Sequence, residues 1–138
     1  MQHHLAIFTQ PWLDLILAGK KTIDSRLSKV RCAPYGKIKT GDVVYMKESV
    51  GLVKGEFIAS KIESYNDLTP EILHNIRSRN HKEIFVDVGF EEFREKWTVA
   101  KYATLIHITN VRTYKNPFPF PKKDRRSWIL LDKSLIDS

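Results

Sequence analysis

The stretch Pro11–Arg26 changes from helical to strand periodicity, and this change constrains the fold more than any other feature of the sequence. Leu13, Ile16 and Leu17 recur at the spacing of a helix face, and the proline suits a first helical turn. Gly19 suits the position just past the last turn, where a positive φ is favoured. The sequence therefore predicts a short helix that ends near Gly19 and leads directly into a strand.

Charged residues surround this junction, and each has a simple structural interpretation. Lys20 and Lys21 follow the helix, where cations are favoured by its dipole by roughly a few tenths of a kcal/mol each. From residue 22 the period is two, so Asp24 and Arg26 share one face of the strand. Their backbones lie roughly 6.5 Å apart. This spacing allows a plain surface ion pair, and it equally allows a binding site.

Length and charge limit the classes of protein that this sequence can represent. A chain of 138 residues without a low-complexity linker is long enough for one well-packed domain. Its composition is 42% hydrophobic and 28% charged, and no apolar run reaches the roughly 20 residues that a membrane span requires. The net charge of +7 predicts a surface that attracts polyanions, of which nucleic acid is the commonest.

Cysteine and histidine usage gives expectations about location and metals. The single cysteine, Cys32, excludes an internal disulfide framework and is typical of a reducing compartment. The stretch Met1–Phe8 lacks the basic and apolar regions of a signal peptide, so we expect a cytoplasmic protein with no membrane partner. The five histidines show no ligand spacing, and we expect neither a metal nor a cofactor. The sequence does not indicate an oligomeric state.

Four strands and two further helices are predicted along the rest of the chain. A helix is expected from Thr69 as N-cap and Pro70 at its first position, with Ile72, Leu73 and Ile76 facing inward. Another follows Gly89, with Phe90, Phe93 and Trp97 on one face and Glu91 and Glu92 in its first turn. Residues 83–88 fit either a short strand or an extended connector. The strands are predicted by alternating or β-branched runs at Leu5–Thr9, Asp42–Lys47, Val53–Tyr65, with a bulge at Gly55, and Tyr102–Tyr114.

Two basic segments lie outside these elements. One is the turn region Lys29–Lys39, which we expect to be an exposed loop. The other follows prolines at alternate positions, which favour an extended, polyproline-like path. It combines an indole with four cations, which suits single-stranded nucleic acid, but Trp128 docked on the domain is an equal alternative. The cations of this segment are Lys122, Lys123, Arg125 and Arg126.

The residues Gly19, Lys21, Asp24 and Arg26 resemble the Gly-x-Lys-x-x-Glu-x-Arg signature of the ASCH domain, with Asp24 where the family usually has Glu. The order of the surrounding elements is similar to ASCH proteins over about residues 5–114. The resemblance implies an α+β fold: a small, mostly antiparallel PUA-like β-barrel with two or three peripheral helices. We expect residues 1–114 to form this domain and the extension 115–138 to pack on it.

The resemblance also implies a function, namely binding of RNA or a nucleotide, including a modified one, in a basic cleft. Lys21, Asp24 and Arg26 would line the cleft as contact residues. The loop cations Lys29 and Arg31, together with the C-terminal cations and the indole, would add attraction or stacking.

A hydrolase is the first alternative, because one subgroup of the family is similar to amidohydrolases acting on N-acetylated cytidine and other members are described as ribonucleases. The subgroup uses the signature Lys, a Thr and a separate Glu; here the Lys is Lys21, but the Thr position is Asp24. Asp24 would be a general base and Lys21 would stabilise an oxyanion. The sequence leaves four candidates for the second acid: Glu83, Asp87, Glu91 and Glu92. A protein-interaction module is the second alternative, with nucleic acid bound only through non-specific charge.

Overall fold

The computed structural model describes residues 1–88 and 95–136 of the chain. The described strands are β1 (His3–Phe8), β2 (Ile23–Ser28), β3 (Val43–Glu48), β4 (Val53–Tyr65), β5 (Tyr102–Phe118) and β6 (Trp128–Leu131). The described helices are α1 (Trp12–Leu17), α2 (Pro70–Arg79), α3 (His81–Phe85) and α4 (Lys96–Val99). None of these helices is long and apolar enough to cross a membrane.

The six strands form one sheet in the order β2-β5-β4-β3-β1-β6, which curves into a half-barrel. Strands β1 and β3 pair in parallel, and the other neighbours pair antiparallel. The prediction of an α+β fold with a mostly antiparallel sheet is therefore confirmed. The described residues contain four helices instead of the two or three expected, because two of the four are single short turns.

The opening β-α-β unit follows the sequence prediction closely. Pro11 immediately precedes the first helical residue, and Gly19 has a φ of +77° just past the helix end. The Gly19 N–H donates to the carbonyl of Ile16, which satisfies one of the last orphan carbonyls of α1. Strand β2 begins four residues after Gly19 and carries both Asp24 and Arg26.

Strand β4 has the predicted bounds and the predicted irregularity at Gly55. The register between β4 and β5 shifts between Val53 and Gly55. A Cβ atom at Gly55 would lie 2.6 Å from the backbone carbonyl oxygen of Arg112. The glycine is thus required by a close approach of two strands.

Helix α2 is capped as expected, but one of its residues faces the other way. The Thr69 hydroxyl accepts a hydrogen bond from the Ile72 N–H at 3.2 Å. Leu73 and Ile76 are buried, whereas Ile72 is 43% exposed. The prediction that Ile72 faces inward is wrong: the packed face of α2 runs through Leu73 and Ile76, and Ile72 lies at the edge of this face, where it meets solvent.

Residues 83–88 form neither a strand nor an extended connector at their start, since His81–Phe85 is helix α3. Tertiary contacts hold this single turn: the Thr22 N–H donates to the Glu83 carbonyl, and Ile84 and Phe85 are buried. The helix predicted after Gly89 lies largely outside the described residues. Its last part is α4, in which Trp97 is buried as predicted.

The C-terminal extension pairs with the sheet at its far end. Strand β5 continues through Pro117 to Phe118, and β6 pairs antiparallel with β1, with Trp128 opposite Ala6. The prediction of a path outside the sheet is therefore wrong for Pro117, and residues 119–127 between the two strands form neither helix nor strand. Trp128 belongs to the apolar cluster that fills the concave side of the sheet, together with Phe8, Ile16, Met46, Phe57 and Ile106.

Two further apolar clusters cover the outer side of the sheet. Helices α2 to α4 pack on β2 and β5 through one cluster, which contains Ile23, Leu73, Ile84, Trp97 and Leu105. The C-terminal residues cover β1 and β3 through the other, which contains Leu5, Tyr45, Phe120, Ile129 and Ile136. This arrangement leaves the inner face of β2 as the wall of an open cleft.

Candidate functional site

A cavity of about 780 Å³ opens between β2, α1, the loop 32–35 and the segment before β6. Its lining includes the three residues predicted as contact residues of the cleft, Lys21, Asp24 and Arg26. These residues therefore face a concave site and not a convex surface. We call the buried part of the cavity, formed by Lys21, Asp24 and Thr104, the floor, and each of these residues is at most 5% exposed.

Lys21 is held at the floor by backbone carbonyls from two elements. Its Nζ donates to the Ile23 carbonyl at 2.7 Å and to the Ile84 carbonyl at 2.5 Å, and lies 5.3 Å from the centroid of the Trp12 ring. Burial lowers the pKa of Lys21 to about 8, against the opposing effect of the Asp24 carboxylate. The interpretation of Lys21 as a cation at the α1 C-terminus is wrong, because its bonds go to β2 and α3.

Asp24 and Arg26 form the ion pair that their spacing allows, but they form it inside the cavity. Arg26 Nε donates to Asp24 Oδ2 at 2.8 Å, and the two side chains are 17% and 7% exposed. The pair is therefore not a solvated surface contact. Both residues line the cavity, where a guanidinium and a carboxylate can contact a bound ligand.

Arg26 also connects the two sides of the open sheet. Its Nη2 donates to the Ile7 carbonyl at 3.1 Å, so a side chain joins β2 to β1 where no strand ladder does. The guanidinium carbon lies 4.7 Å from the Phe8 ring centroid and 5.1 Å from that of Trp128. These contacts place the guanidinium at the edge of the cleft.

Thr104 completes the floor from the neighbouring strand. It lies directly opposite Arg26 in the β2–β5 register, and paired residues of antiparallel strands share a face. It is 1% exposed, and among the described residues its hydroxyl is the buried side-chain oxygen that has no hydrogen-bond partner. Sequence reasoning did not single out this residue, although it is a polar residue on an apolar face of the longest strand.

The C-terminal cations divide into those that line the cavity and those that do not. Lys122, Arg125 and Arg126 line it, and we call these three residues the basic rim. Lys123 is exposed and lies outside the lining. A carbonyl of this segment, that of Ser127, accepts the Ile7 N–H at 2.9 Å and so ties the rim to β1.

The two loop cations of the predicted site lie outside the cavity lining. Lys29 and Arg31 are both exposed, and the guanidinium of Arg31 lies 5.3 Å from the Tyr35 ring centroid. Tyr35 itself lines the cavity and meets Tyr102 edge to face at 5.0 Å. The loop therefore gives the cavity an aromatic wall, and its cations remain behind that wall.

Trp128 does not have the exposed position that base stacking requires. It is 3% exposed, and its Nε1–H donates to His4 Nδ1 at 2.9 Å. His4 Nε2 in turn pairs with Asp42 Oδ2 at 2.9 Å, which fixes the proton on Nε2. Of the two alternatives for Trp128, the structure supports docking on the domain.

Further lining residues were not predicted from the sequence as part of the site. Those with an aromatic or cationic side chain include Tyr35, Phe85, Lys96, Trp97 and Tyr102. Spacing gave no indication of them, because they come from four separate segments. Trp12, which its apolar helix face predicts to be a core residue, packs against the cluster under the helices and also lines the cavity. The pattern of an aromatic within or beside a basic loop, as at Tyr35, is the one sequence feature that could have pointed to this wall.

The acids proposed for hydrolysis are not all placed at the cavity. Glu83 and Asp87 are exposed and outside its lining, and Glu91 and Glu92 lie outside the described residues. Asp124 lines the cavity but pairs with Arg126 at 2.9 Å. Within residues 1–88 and 95–136, no group of three or more His, Cys, Asp or Glu side chains could hold a metal ion.

Several solved structures have a fold similar to that of this chain. A point mutant of ASCH from Zymomonas mobilis has a TM-score of 0.74 at 15% identity, covering 96% of this chain and 92% of that one. The unmutated Zymomonas mobilis ASCH has a TM-score of 0.71 at 13% identity, covering 95% and 88%. The hypothetical protein PH0355 has a TM-score of 0.51 at 22% identity, covering 78% and 97%.

Comparison of whole sequences does not find such relatives. No protein-family model matches the chain, and no curated protein sequence matches it. The structural agreement nevertheless extends over nearly the whole of the chain and of both Zymomonas mobilis structures. The chain therefore has the fold of an ASCH domain.

Proposed function

We propose that the protein binds single-stranded RNA, or a nucleotide of it, in the cavity beside β2. The observation that carries this proposal is the position of Lys21, Asp24 and Arg26 inside one cavity whose edge is the basic rim. A nucleotide needs a cationic path for its phosphates and a walled pocket for its base. The likeness in fold to ASCH structures supports the same class of function.

The two parts of the cavity suit the two parts of a nucleotide. Arg125 and Arg126 of the rim are exposed and Lys122 is half-buried, and all three carry formal charge, so they suit phosphate contacts that depend on salt. The floor is buried and combines N–H donors with a carboxylate, so it suits the edge of a base. Aromatic residues such as Trp12 and Tyr35 also line the cavity, and aromatic side chains are the groups on which bases stack.

The rim offers a matched pair of variants for a test. Arg125→Ala removes a cation that lines the cavity, and Lys123→Ala removes one two residues away that does not. Binding of a fluorescein-labelled single-stranded RNA is measured by anisotropy at several salt concentrations. We expect Arg125→Ala to weaken binding about three- to tenfold and to reduce the salt slope by about one.

The control variant decides between a site and general charge. Lys123→Ala should bind RNA within a factor of about two of the wild type, since its charge acts only at a distance. Equal losses in the two variants would contradict the cavity as the binding site. They would favour the alternative of a protein-interaction module that attracts nucleic acid through net charge alone.

A hydrolase acting in the same cavity is a second candidate, and the state of Lys21 favours it. An amine whose pKa is about 8 exchanges its proton near neutral pH, as a general acid or base must. The test is incubation with N-acetylcytidine and with labelled RNA, with and without divalent metal. Turnover that Lys21→Met abolishes would support the enzyme, and turnover equal to that of the variant would exclude it.

A further inference from the structure

Thr104 is a buried polar group that the packing of the domain does not explain. Its hydroxyl is covered by protein and finds no hydrogen-bond partner in the described residues. Burying a hydroxyl without a partner costs about 1–3 kcal/mol by protein mutational data. Valine has nearly the same shape and would avoid this cost, so fold stability alone does not account for a threonine here.

The position of Thr104 in the sheet places it at the floor of the cavity. It is the β5 partner of Arg26, and it lines the same cavity as Lys21 and Asp24. The side chains of Asp24, Arg26 and Thr104 project from two neighbouring strands on the same side of the sheet. The unpartnered hydroxyl is therefore next to the groups that the proposed function assigns to the ligand.

We propose that Thr104 is a specificity-determining residue whose hydroxyl hydrogen-bonds the base edge of a bound nucleotide. This inference rests on the proposed function of the cavity. A hydroxyl donates and accepts, and it carries no charge, so it suits a base edge better than a phosphate. Base contacts specify the ligand, whereas the basic rim positions it.

The Thr104 hydroxyl is closed off from water in this structure, and its neighbour across the β2–β5 pair is Arg26, whose displacement by a ligand would expose it. The guanidinium bonds to one Asp24 oxygen and to the Ile7 carbonyl, and it is 17% exposed. Both bonds are of a kind that a ligand's own acceptor atoms can replace. Arg26 would thus exchange a protein partner for the ligand and uncover the hydroxyl beside it.

The test is the isosteric substitution Thr104→Val, with Thr104→Ser as the control that keeps the hydroxyl. The probe is the same fluorescein-labelled single-stranded RNA, measured by anisotropy across a range of salt. We expect Thr104→Val to weaken binding about three- to tenfold with the salt slope unchanged, as loss of a neutral hydrogen bond requires. Thr104→Ser should bind within a factor of about two of the wild type.

A second measurement distinguishes ligand contact from a structural role. The thermal midpoint of Thr104→Val without RNA should equal or exceed that of the wild type, because no protein hydrogen bond is lost. A lower midpoint together with weaker binding would overturn the inference in favour of a structural role. Unchanged affinity, or a reduced salt slope, would also overturn it.

The outcome separates this inference from the proposed function. If Arg125→Ala weakens RNA binding and Thr104→Val does not, the cavity binds RNA and the role of Thr104 is wrong. If the wild-type protein does not bind RNA above the non-specific level, both the function and this inference fail.

Discussion

Lys21 is the buried cation at the floor of the cavity. A buried ammonium is costly to desolvate, and this one is compensated by two backbone carbonyls and by the face of Trp12. Two of its three N–H donors are thus used within the protein. The third is available for the cavity that the residue lines.

The lowered pKa of Lys21 gives a prediction about pH. Because burial lowers that pKa to about 8, the ammonium loses its proton as the pH rises from 7 to 8.5. Loss of this charge should weaken RNA binding across the same interval, measured by anisotropy at fixed salt. The variant Lys21→Met should bind RNA more weakly than the wild type at pH 7, and its affinity should not change over this interval. If the affinities of the wild type and the variant change with pH in the same way, the ammonium of Lys21 does not have this role.

The sequence identified the charged residues of the cavity, but it did not show the surroundings of their side chains. The pattern of alternating charges found Asp24 and Arg26 and placed them on one face, which the structure confirms. It could not show that the face is concave, because curvature depends on strands far away in sequence. Thr104 was missed for the same reason: its lack of a partner is a property of the packed sheet.

At the scale of elements, the last strand is held by a buried polar chain. Asp42 accepts from His4 Nε2 and from the backbone N–H groups of Gln2 and Lys39, and His4 Nδ1 accepts from Trp128. Every link is 2.9–3.1 Å long. Because Trp128 also lies under the Arg26 guanidinium, the docking of β6 contributes to the edge of the cleft.

The substitution Trp128→Phe tests this chain. It keeps an aromatic ring but leaves His4 Nδ1 without its donor, so we expect a loss of about 1–2 kcal/mol in the free energy of unfolding. Hydrogen exchange of the amides 128–131 should accelerate. The control is Trp97→Phe, which makes the same change of ring in the cluster under the helices. In this variant the amides of β6 should exchange as slowly as in the wild type. Equal acceleration in both variants would contradict the specific role of Trp128.

The same chain predicts how stability depends on pH. Burial lowers the pKa of His4 below its ordinary value of 6.5, against the raising effect of Asp42, and His3 lowers it slightly further. Below pH 6.5 the unfolded chain therefore binds more protons than the folded one at this site. The contribution of His4 is fully present above pH 6.5 and is lost as the pH falls through the folded pKa.

Urea titrations at pH 7, 6 and 5 measure this effect. The wild type should lose stability with each step, and His4→Gln should lose less over the same interval. If the variant and the wild type show the same slope, protonation of His4 is not the cause of the loss.

The elements that were predicted well are formed by contacts between residues close in sequence. The elements that were missed depend on contacts between residues far apart in sequence. Strand β4 and the cap of α2 are encoded locally, by alternation with Gly55 and by Thr69 before Pro70. Helix α3 is held by Lys21 and Thr22, sixty residues earlier in the chain. Strand β6 forms by pairing with β1, and local propensity does not indicate a partner so far away in sequence.

For the whole molecule, the extension 115–138 supplies both a strand and one edge of the cavity. The division into a domain of residues 1–114 and an added tail thus remains a prediction with a direct test. A chain ending at residue 114 would lose β6, Trp128 and the apolar cover of β1, and we expect it not to fold cooperatively. Circular dichroism on heating checks this, and a sharp transition near that of the full chain would show that residues 1–114 suffice.

The central claim is that RNA enters the cavity beside β2, and a nuclear magnetic resonance titration tests it most directly. Unlabelled single-stranded RNA is added to ¹⁵N-labelled protein, and the Trp12 indole and Arg26 Nε–H resonances are followed. We predict that both shift in a saturable manner, together with amides of the basic rim. Shifts confined to the separate groove lined by Tyr65, Ile76 and Arg79, with Trp12 and Arg26 unchanged, would contradict the account.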